Sequence, residues 1–317
     1  MRVVVIGSGV MGLSVAVLLA EAGAEVRVWS GEPSIRGVSA VAGALWEPYK
    51  AEPRELINGW AERTFHILSS LASEERSGVH MVSGLKAGRG EVPQRPWWHT
   101  IAPVQHASSD EVPAAFSWGM RSTLPLLNMP RYLGFLRERL AAHDVVIEKR
   151  IVRRLTELSA SETDAVVNAS GLGARDLVPD SDVRPIQGHL VVVENPGIDS
   201  WFVEATGGAE EGLYIFPQSD GTVILGGTAY ENRWSLTPDP AITKRIVDRC
   251  AEIYPALGDA RVIEERVGLR PYRSHVRVER QDLPDGLVCV HCYGHGGSGV
   301  TVSWASAESA VRLLRQA

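Results

Sequence analysis

Cysteine is scarce in this sequence. Cys250, Cys289 and Cys292 are the three in a chain of 317 residues, and an odd, low number excludes a disulfide framework. Cys289 and Cys292 stand at C-x-x-C spacing in VCVHCYG, but no second pair follows to complete a metal knuckle. They read as small buried hydrophobes at the end of a strand, with no metal expected. Long apolar runs are missing too. No window of 18 uncharged apolar residues occurs, so no transmembrane helix is expected. The N terminus, MRVVVIGSG, lacks the basic and apolar stretches of a secretory leader, and the ending LLRQA is not a Ser-Lys-Leu signal. A soluble, cytoplasmic protein is the expectation. Positive charge is not in excess: 32 Lys and Arg against 38 Asp and Glu leave a net charge of -6, which disfavours nucleic acid and membrane surfaces as partners.

What is present is the balance of a globular protein, with 44% hydrophobic and 22% charged residues. The length predicts two interleaved domains rather than one simple core. Val3 to Ile6 reads as a buried parallel strand, Val10 to Ala22 as a helix covered on most sides, and Glu25 to Trp29 as a second strand. Residues 50–130 are rich in Pro, Gly and Trp with little long periodicity, and Gly88 to Trp98 reads as loop and short strand. Met129-Pro130-Arg131 opens a helix to about Ala142. Val145 to Ile151 and Ala165 to Asn168 read as strands. IQGHLVVVE, GLYIFPQ and TVILGGT read as antiparallel strands, the last two joined at Ser219-Asp220-Gly221. A helix over 240–254 follows. The strand GLVCVHC then feeds a glycine loop and a final helix from Val300 to Arg315, with Val300, Trp304, Ala307, Val311 and Leu314 on one face.

Gly7-Ser8-Gly9-Val10-Met11-Gly12 is a G-x-G-x-x-G motif between a strand and a helix. The first glycine permits the tight turn, the second admits a pyrophosphate, and the third lets helix and strand pack closely. The helix N terminus offers free N–H groups and a positive dipole end to phosphates. An acid for the ribose is expected about 20 residues further on. Ser30 stands there instead, and Glu32 two residues later is the alternative ribose ligand. No arginine waits for a 2′-phosphate, which disfavours NADP.

Three further segments separate NAD from FAD: VAGALWEPY at residues 41–49, GLRP at 268–271 and YGHGGSGVT at 293–301. Together with VVVIGSGVMGLS, and with VVNASGLGA and IYPAL, they resemble the D-amino acid oxidase family along nearly the whole chain. The resemblance implies an α/β fold: a Rossmann-like FAD-binding domain (GR2-type) interleaved with an antiparallel-sheet α+β substrate-binding domain. The first is expected at 1–50, 130–182 and 260–317, the second at 51–129 and 183–259. It implies non-covalent FAD held by the loop Gly7 to Gly12, by Ser30 or Glu32, by Ser39 and Arg36 at the pyrophosphate, and by Ile151 near the adenine. Gly43, Ala44 and Leu45 pass the reactive flavin edge, Ala44 standing where the family has a glycine. Ser170 and Gly171 are cofactor contacts on the same ground, as is Arg270 beside the flavin. Gly296, Gly297, Ser298, Gly299, Val300 and Thr301 form a second glycine-rich turn whose N–H groups face the anionic side of a reduced flavin.

The same resemblance assigns the substrate carboxylate to Arg270 and Tyr214, and the substrate amine to the Gly297 carbonyl. A planar guanidinium fork suits a carboxylate. Tyr49, Phe216 and Glu47 are expected to shape the side-chain pocket. Glu47 replaces an amide and, if unsolvated, repels acidic substrates. The family's second pocket tyrosine is missing from residues 206–212, so a shortened lid and a more open entrance are expected. No side-chain acid or base is required, and His291 and His295 read as structural. The expected reaction is oxidative deamination of D-amino acids with neutral or basic side chains, by hydride transfer to flavin N5 and reoxidation by dioxygen. D-aspartate oxidase and glycine or sarcosine oxidase are the alternatives, and a homodimer is a candidate assembly.

Overall fold

The computed structural model describes residues 1–31, 37–92, 97–205, 210–283 and 286–316. The chain opens with β1 (Arg2–Ile6), α1 (Val10–Glu21) and β2 (Glu25–Ser30), then α2 (Arg54–Leu71), β3 (Val79–Gly88), β4 (Val104–His106) and β5 (Trp118–Leu127). Next come α3 (Met129–Ala141), β6 (Ile147–Lys149), β7 (Ala165–Asn168), the short α4 (Ala174–Leu177), β8 (Arg184–Glu194), β9 (Trp201–Glu204), β10 (Glu211–Pro217), β11 (Thr222–Thr228) and β12 (Tyr230–Glu231). The last elements are α5 (Pro240–Ala251), β13 (Val262–Asp282), β14 (Val288–His295) and α6 (Ser303–Leu314).

The strands join in one sheet of order β4-β5-β3-β9-β10-β11-β8-β13-β14-β7-β1-β2-β6, with β12 beside β8. From β14 to β6 the pairing is parallel. From β4 to β13 it is antiparallel except between β3 and β9. β13 ties the halves together: its first part pairs with β8 from Val262 to Tyr272, and its last part pairs with β14 from Tyr272 to Asp282.

The parallel half explains its own sequence. Val3 and Val5 face α1 and α6, while Val4 and Ile6 face Trp29, Leu155 and Leu177 on the other side. Both faces are covered, hence the continuous apolar run. α1 is buried on nearly every side, from Val10 to Ala20, as its composition demands. On the antiparallel half, Ile242, Ile246 and Cys250 of α5 pack over Val191, Ile215 and Leu225. Asp239 caps α5 by accepting from Ala241 N, and Pro240 fills its first turn.

Four expectations need correction. The stretch 50–130 contains an 18-residue helix, α2, and two ten-residue strands, β3 and β5. α2 buries Ile57, Trp60, Ala61, Thr64, Phe65, Leu68 and Leu71, a helical stripe that the Pro and Gly content of the wider region obscured. The strand expected to reach Ile151 ends at Lys149, because only β2 pairs with it. The helix expected over 240–254 ends at Ala251. The final helix starts at Ser303, since Gly296–Ser298 form a separate 3-10 turn.

Candidate active site

One cavity of about 1450 Å³ runs from the carboxyl ends of β1 and β2 across the antiparallel half of the sheet. That exceeds the ~300–1,000 Å³ of a single drug-sized ligand and fits a dinucleotide with a substrate beside it.

At one end lies the turn Gly7 to Met11. Gly7 has φ +113, and a Cβ there would sit 2.3 Å from the Ala169 carbonyl oxygen, so only glycine fits. Gly12 does not line the cavity; a Cβ on it would meet the Gly7 carbonyl at 1.9 Å, which makes it the helix–strand packing glycine. Ser39 reaches the N terminus of α1, where its Oγ accepts from Val10 N at 3.0 Å. It therefore shares the helix end with any phosphate. Ser8 donates its hydroxyl to Ser30 Oγ at 2.9 Å, tying the phosphate turn to the end of β2. Glu32 and Arg36 lie outside the described residues. Ile151 is 61% exposed yet lines the cavity beside Gly31, and Arg150 stacks on Trp29 with its guanidinium carbon 3.8 Å from the ring centroid. An exposed apolar residue on a cavity wall is surface that a flat ring would cover.

Midway, two remote segments are pinned together. Ser298 Oγ accepts from Tyr49 N at 2.7 Å and donates to Tyr49 O at 2.9 Å. Thr301 Oγ1 donates to Glu47 O at 3.1 Å. Ser298 does not line the cavity, and the Thr301 hydroxyl proton goes to Glu47 O. Gly296, Gly297, Gly299, Val300 and Thr301 do line it. Tyr49 lies over Gly297, where a Cβ would come within 2.4 Å of its Cδ1. Gly43, Ala44 and Leu45 form the facing wall, with Ala44 at φ +59 and its carbonyl accepting from Leu127 N at 3.2 Å. Left-handed backbone on a non-glycine residue costs of order 1 kcal/mol and marks a segment held by its surroundings.

At the far end Arg270 of β13 and Tyr214 of β10 converge over three glycines. The Arg270 guanidinium lies over Gly188, and the Tyr214 ring over Gly226 and Gly227. Arg270 Nη1 donates to Thr228 O at 3.0 Å, and no carboxylate pairs with Arg270 among the described residues. Burial pushes the Tyr214 hydroxyl up to about 12, against the pull of the neighbouring Arg270 cation, so it stays a donor at neutral pH. Phe216 stacks on Tyr214 at 4.7 Å between centroids. Glu47 is not isolated: it pairs with Lys86 of β3, a cation in the cavity that sequence reasoning missed. The altered lid stretch falls largely on 206–209, outside the described residues.

Ser170 and Gly171 border the cavity through a buried chain of hydrogen bonds. Asn168 Oδ1 accepts from Ser170 N at 3.2 Å and from its hydroxyl at 2.7 Å. That fixes the amide, whose Nδ2 donates to His291 Nδ1 at 3.2 Å, so the ring proton sits on Nε2 and goes to Gln281 Oε1 at 2.8 Å. Burial lowers His291 to about 4 and His295 to about 3, and His295 Nε2 bonds Ser306 Oγ at 2.7 Å. Both rings are neutral at pH 7. The three cysteines are buried and free, and burial raises Cys292 to about 11.

The residues present fit FAD: a phosphate turn at a helix end, an exposed apolar wall at Ile151, and the Gly43–Leu45 and Gly296–Thr301 segments lining the same cavity. These features define a dinucleotide-binding flavoprotein of the α/β class. The chain belongs to the FAD-dependent oxidoreductase family, whose model matches residues 2–313. A D-amino-acid oxidase of Streptomyces coelicolor is 47% identical over 314 residues, covering 98% of this chain and 96% of that protein. A D-amino-acid oxidase of Rubrobacter xylanophilus is 45% identical, covering 98% and 95%. The solved glycine oxidase of Geobacillus kaustophilus has the same fold, with a TM-score of 0.84 at 19% identity over 99% of this chain and 95% of that one. The α/β architecture with a Rossmann-like FAD-binding part, expected from the sequence, is the fold found.

Proposed function

We propose that this protein is an oxidase of D-amino acids, converting substrate, water and dioxygen into a 2-oxo acid, ammonia and hydrogen peroxide. The observation that carries the reading is Arg270: a cation on the wall of the flavin cavity with no carboxylate partner among the described residues, beside a protonated tyrosine. Arg270 is anchored on Thr228 O and bonds the Tyr214 hydroxyl, and the remaining N–H groups of the fork are left for a ligand carboxylate. Tyr214 donates a further bond to it. The Gly297 carbonyl accepts from the substrate amine, which enters as the free base. These contacts orient the alpha C–H, and positioning does most of the work, without a side-chain base. FAD, when bound, supplies the two-electron acceptor at N5 and the reactivity with dioxygen. The names of the two bacterial relatives support D stereochemistry.

The division into cofactor segments 1–50, 130–182 and 260–317 and substrate segments 51–129 and 183–259 belongs to the same proposal; β13 lies within 260–317 and pairs with β8 of the substrate segments. So do a cytoplasmic location and a homodimer. No helix among the described residues is long and apolar enough to cross a membrane. The deciding experiment is peroxide release across both enantiomers of the common amino acids. Turnover of D forms alone is expected; turnover of none, or of L forms only, overturns the reading.

A further inference from the structure

Four neighbouring strands carry one row of directly opposed residues. Met120 of β5 faces Lys86 of β3, Lys86 faces Val203 of β9, and Val203 faces Tyr214 of β10. Opposed residues share a face of the sheet, and all four line the cavity. Adjacent strands lie about 4.8 Å apart, so the Lys86 backbone stands two strands, roughly 10 Å, from that of Tyr214. A lysine side chain spans much of that gap. Lys86 is ion-paired with Glu47, and the two side chains are 25% and 23% exposed. Glu47 is held from behind, since its carbonyl accepts the Thr301 hydroxyl at 3.1 Å. Another carboxylate on this wall, Glu204, is already paired with Arg249 at 2.9 Å and Arg89 at 3.2 Å.

The geometry points to the Lys86–Glu47 pair as the element that selects the charge of the substrate side chain. This rests on the reading of the site given above. A substrate held by its carboxylate at Arg270 and Tyr214, and by its amine at Gly297, has one substituent left to place. Along the row that substituent passes Val203 and meets the pair. A short apolar side chain stops at Val203 and leaves the pair closed. An acidic side chain must take Lys86 from Glu47 while facing the Glu47 charge in a poorly solvated space, and is held out. A basic side chain finds a carboxylate whose lysine partner can turn to solvent. The pair is thus a closed ion lock at the end of the side-chain pocket, admitting neutral and basic residues.

The test compares specificity ratios in the FAD-loaded enzyme. Glu47→Gln keeps the shape and frees Lys86; the ratio of kcat/KM for D-glutamate over D-glutamine is expected to rise at least about tenfold. Lys86→Met leaves Glu47 unpaired; the ratio for D-lysine over D-norleucine is expected to rise, and that for D-glutamate over D-glutamine to fall. Glu47→Gln with Lys86→Met should lose both preferences. A second readout is calorimetric binding of succinate against butyrate, a dicarboxylate and a monocarboxylate of equal chain length. Glu47→Gln should tighten succinate relative to butyrate by a similar factor. Ratios unchanged in both single variants overturn the inference. If the wild type oxidises no D-amino acid, the functional reading fails by itself, and the succinate-to-butyrate ratio still decides the role of the pair.

Discussion

The ring of Tyr214 occupies the place that a side chain at Gly226 would fill. The two residues are direct partners across β10 and β11, and a Cβ on Gly226 would sit 2.0 Å from the tyrosine Cζ. Gly188 does the same for Arg270, with a Cβ 2.5 Å from Nη1. The substrate end of the cavity is therefore shaped by where side chains are missing.

Gly226→Ala is expected to push Tyr214 off its seat. Overpacking of this kind costs about 1–3 kcal/mol. KM for a neutral D-amino acid should rise severalfold with FAD retained, as judged by steady-state kinetics and the visible flavin spectrum. An unchanged KM would show that the ring position does not matter. Tyr214→Phe should reproduce the loss, because a hydrogen bond to a charge is worth about 1.5–3 kcal/mol.

Arg270→Ala removes the cation and its fork together. With two charge-assisted bonds lost, kcat/KM should fall by at least about a hundredfold. The protein should stay yellow, since the phosphate turn is untouched. Near-normal kinetics would remove Arg270 from the carboxylate site.

Gly9→Leu addresses the other end. A Cβ at Gly9 already meets Ser39 Oγ at 3.2 Å, so a branched side chain would fill the space before α1. The variant should purify colourless, and added FAD should no longer raise its melting temperature. A yellow variant would refute the phosphate turn.

Stability should depend on pH through His291 and His295, two of the three buried histidines among the described residues. Their folded pKa values, about 4 and about 3, lie below the ordinary value of 6.5, because burial disfavours the charged ring. Between those limits the unfolded chain binds more protons than the folded one, so stability is complete above pH 6.5 and declines as pH falls toward 4. The Asp180 and Asp182 carboxyls, held low by Tyr293 and Ser274 hydrogen bonds and by Arg273 against the cost of burial, add a loss only at more acid pH. Melting temperature against pH for wild type and His291→Gln measures this directly; the variant should show a flatter slope from pH 6.5 to 4. An identical slope would count against a neutral His291.

The phosphate turn and the antiparallel strands around Tyr214 were legible because each is decided by residues close together in the chain. Gly7 needs its left-handed backbone wherever such a turn occurs, and the turn at Asp220 and Gly221 follows from side-chain bonds within three residues. α2 has an equally local stripe, masked by the Pro- and Gly-rich sequence around it. The Lys86–Glu47 pair was not legible at all. Its members are 39 positions apart, and the segment carrying Glu47 is placed by long-range bonds, to β5 at Pro125 and Leu126 and to Thr301, that no short window records. By sequence, the glycine-rich turn points Ser298 and Thr301 toward the cofactor, and nothing near them in the chain announces a second task. Their hydroxyls hold a segment some 250 residues away.

β13 runs unbroken for 21 residues and hydrogen-bonds with both halves of the sheet. Jaws built on one beam resist swinging apart, since a hinge anywhere but the irregular stretch between Tyr272 and Arg277 would have to tear ladder bonds. The distance between the carboxylate grip and the flavin pocket is thereby fixed when the chain folds, not when the ligand arrives. Scattering profiles with and without a carboxylate ligand should superimpose, and traffic in and out of the pocket falls to its rim.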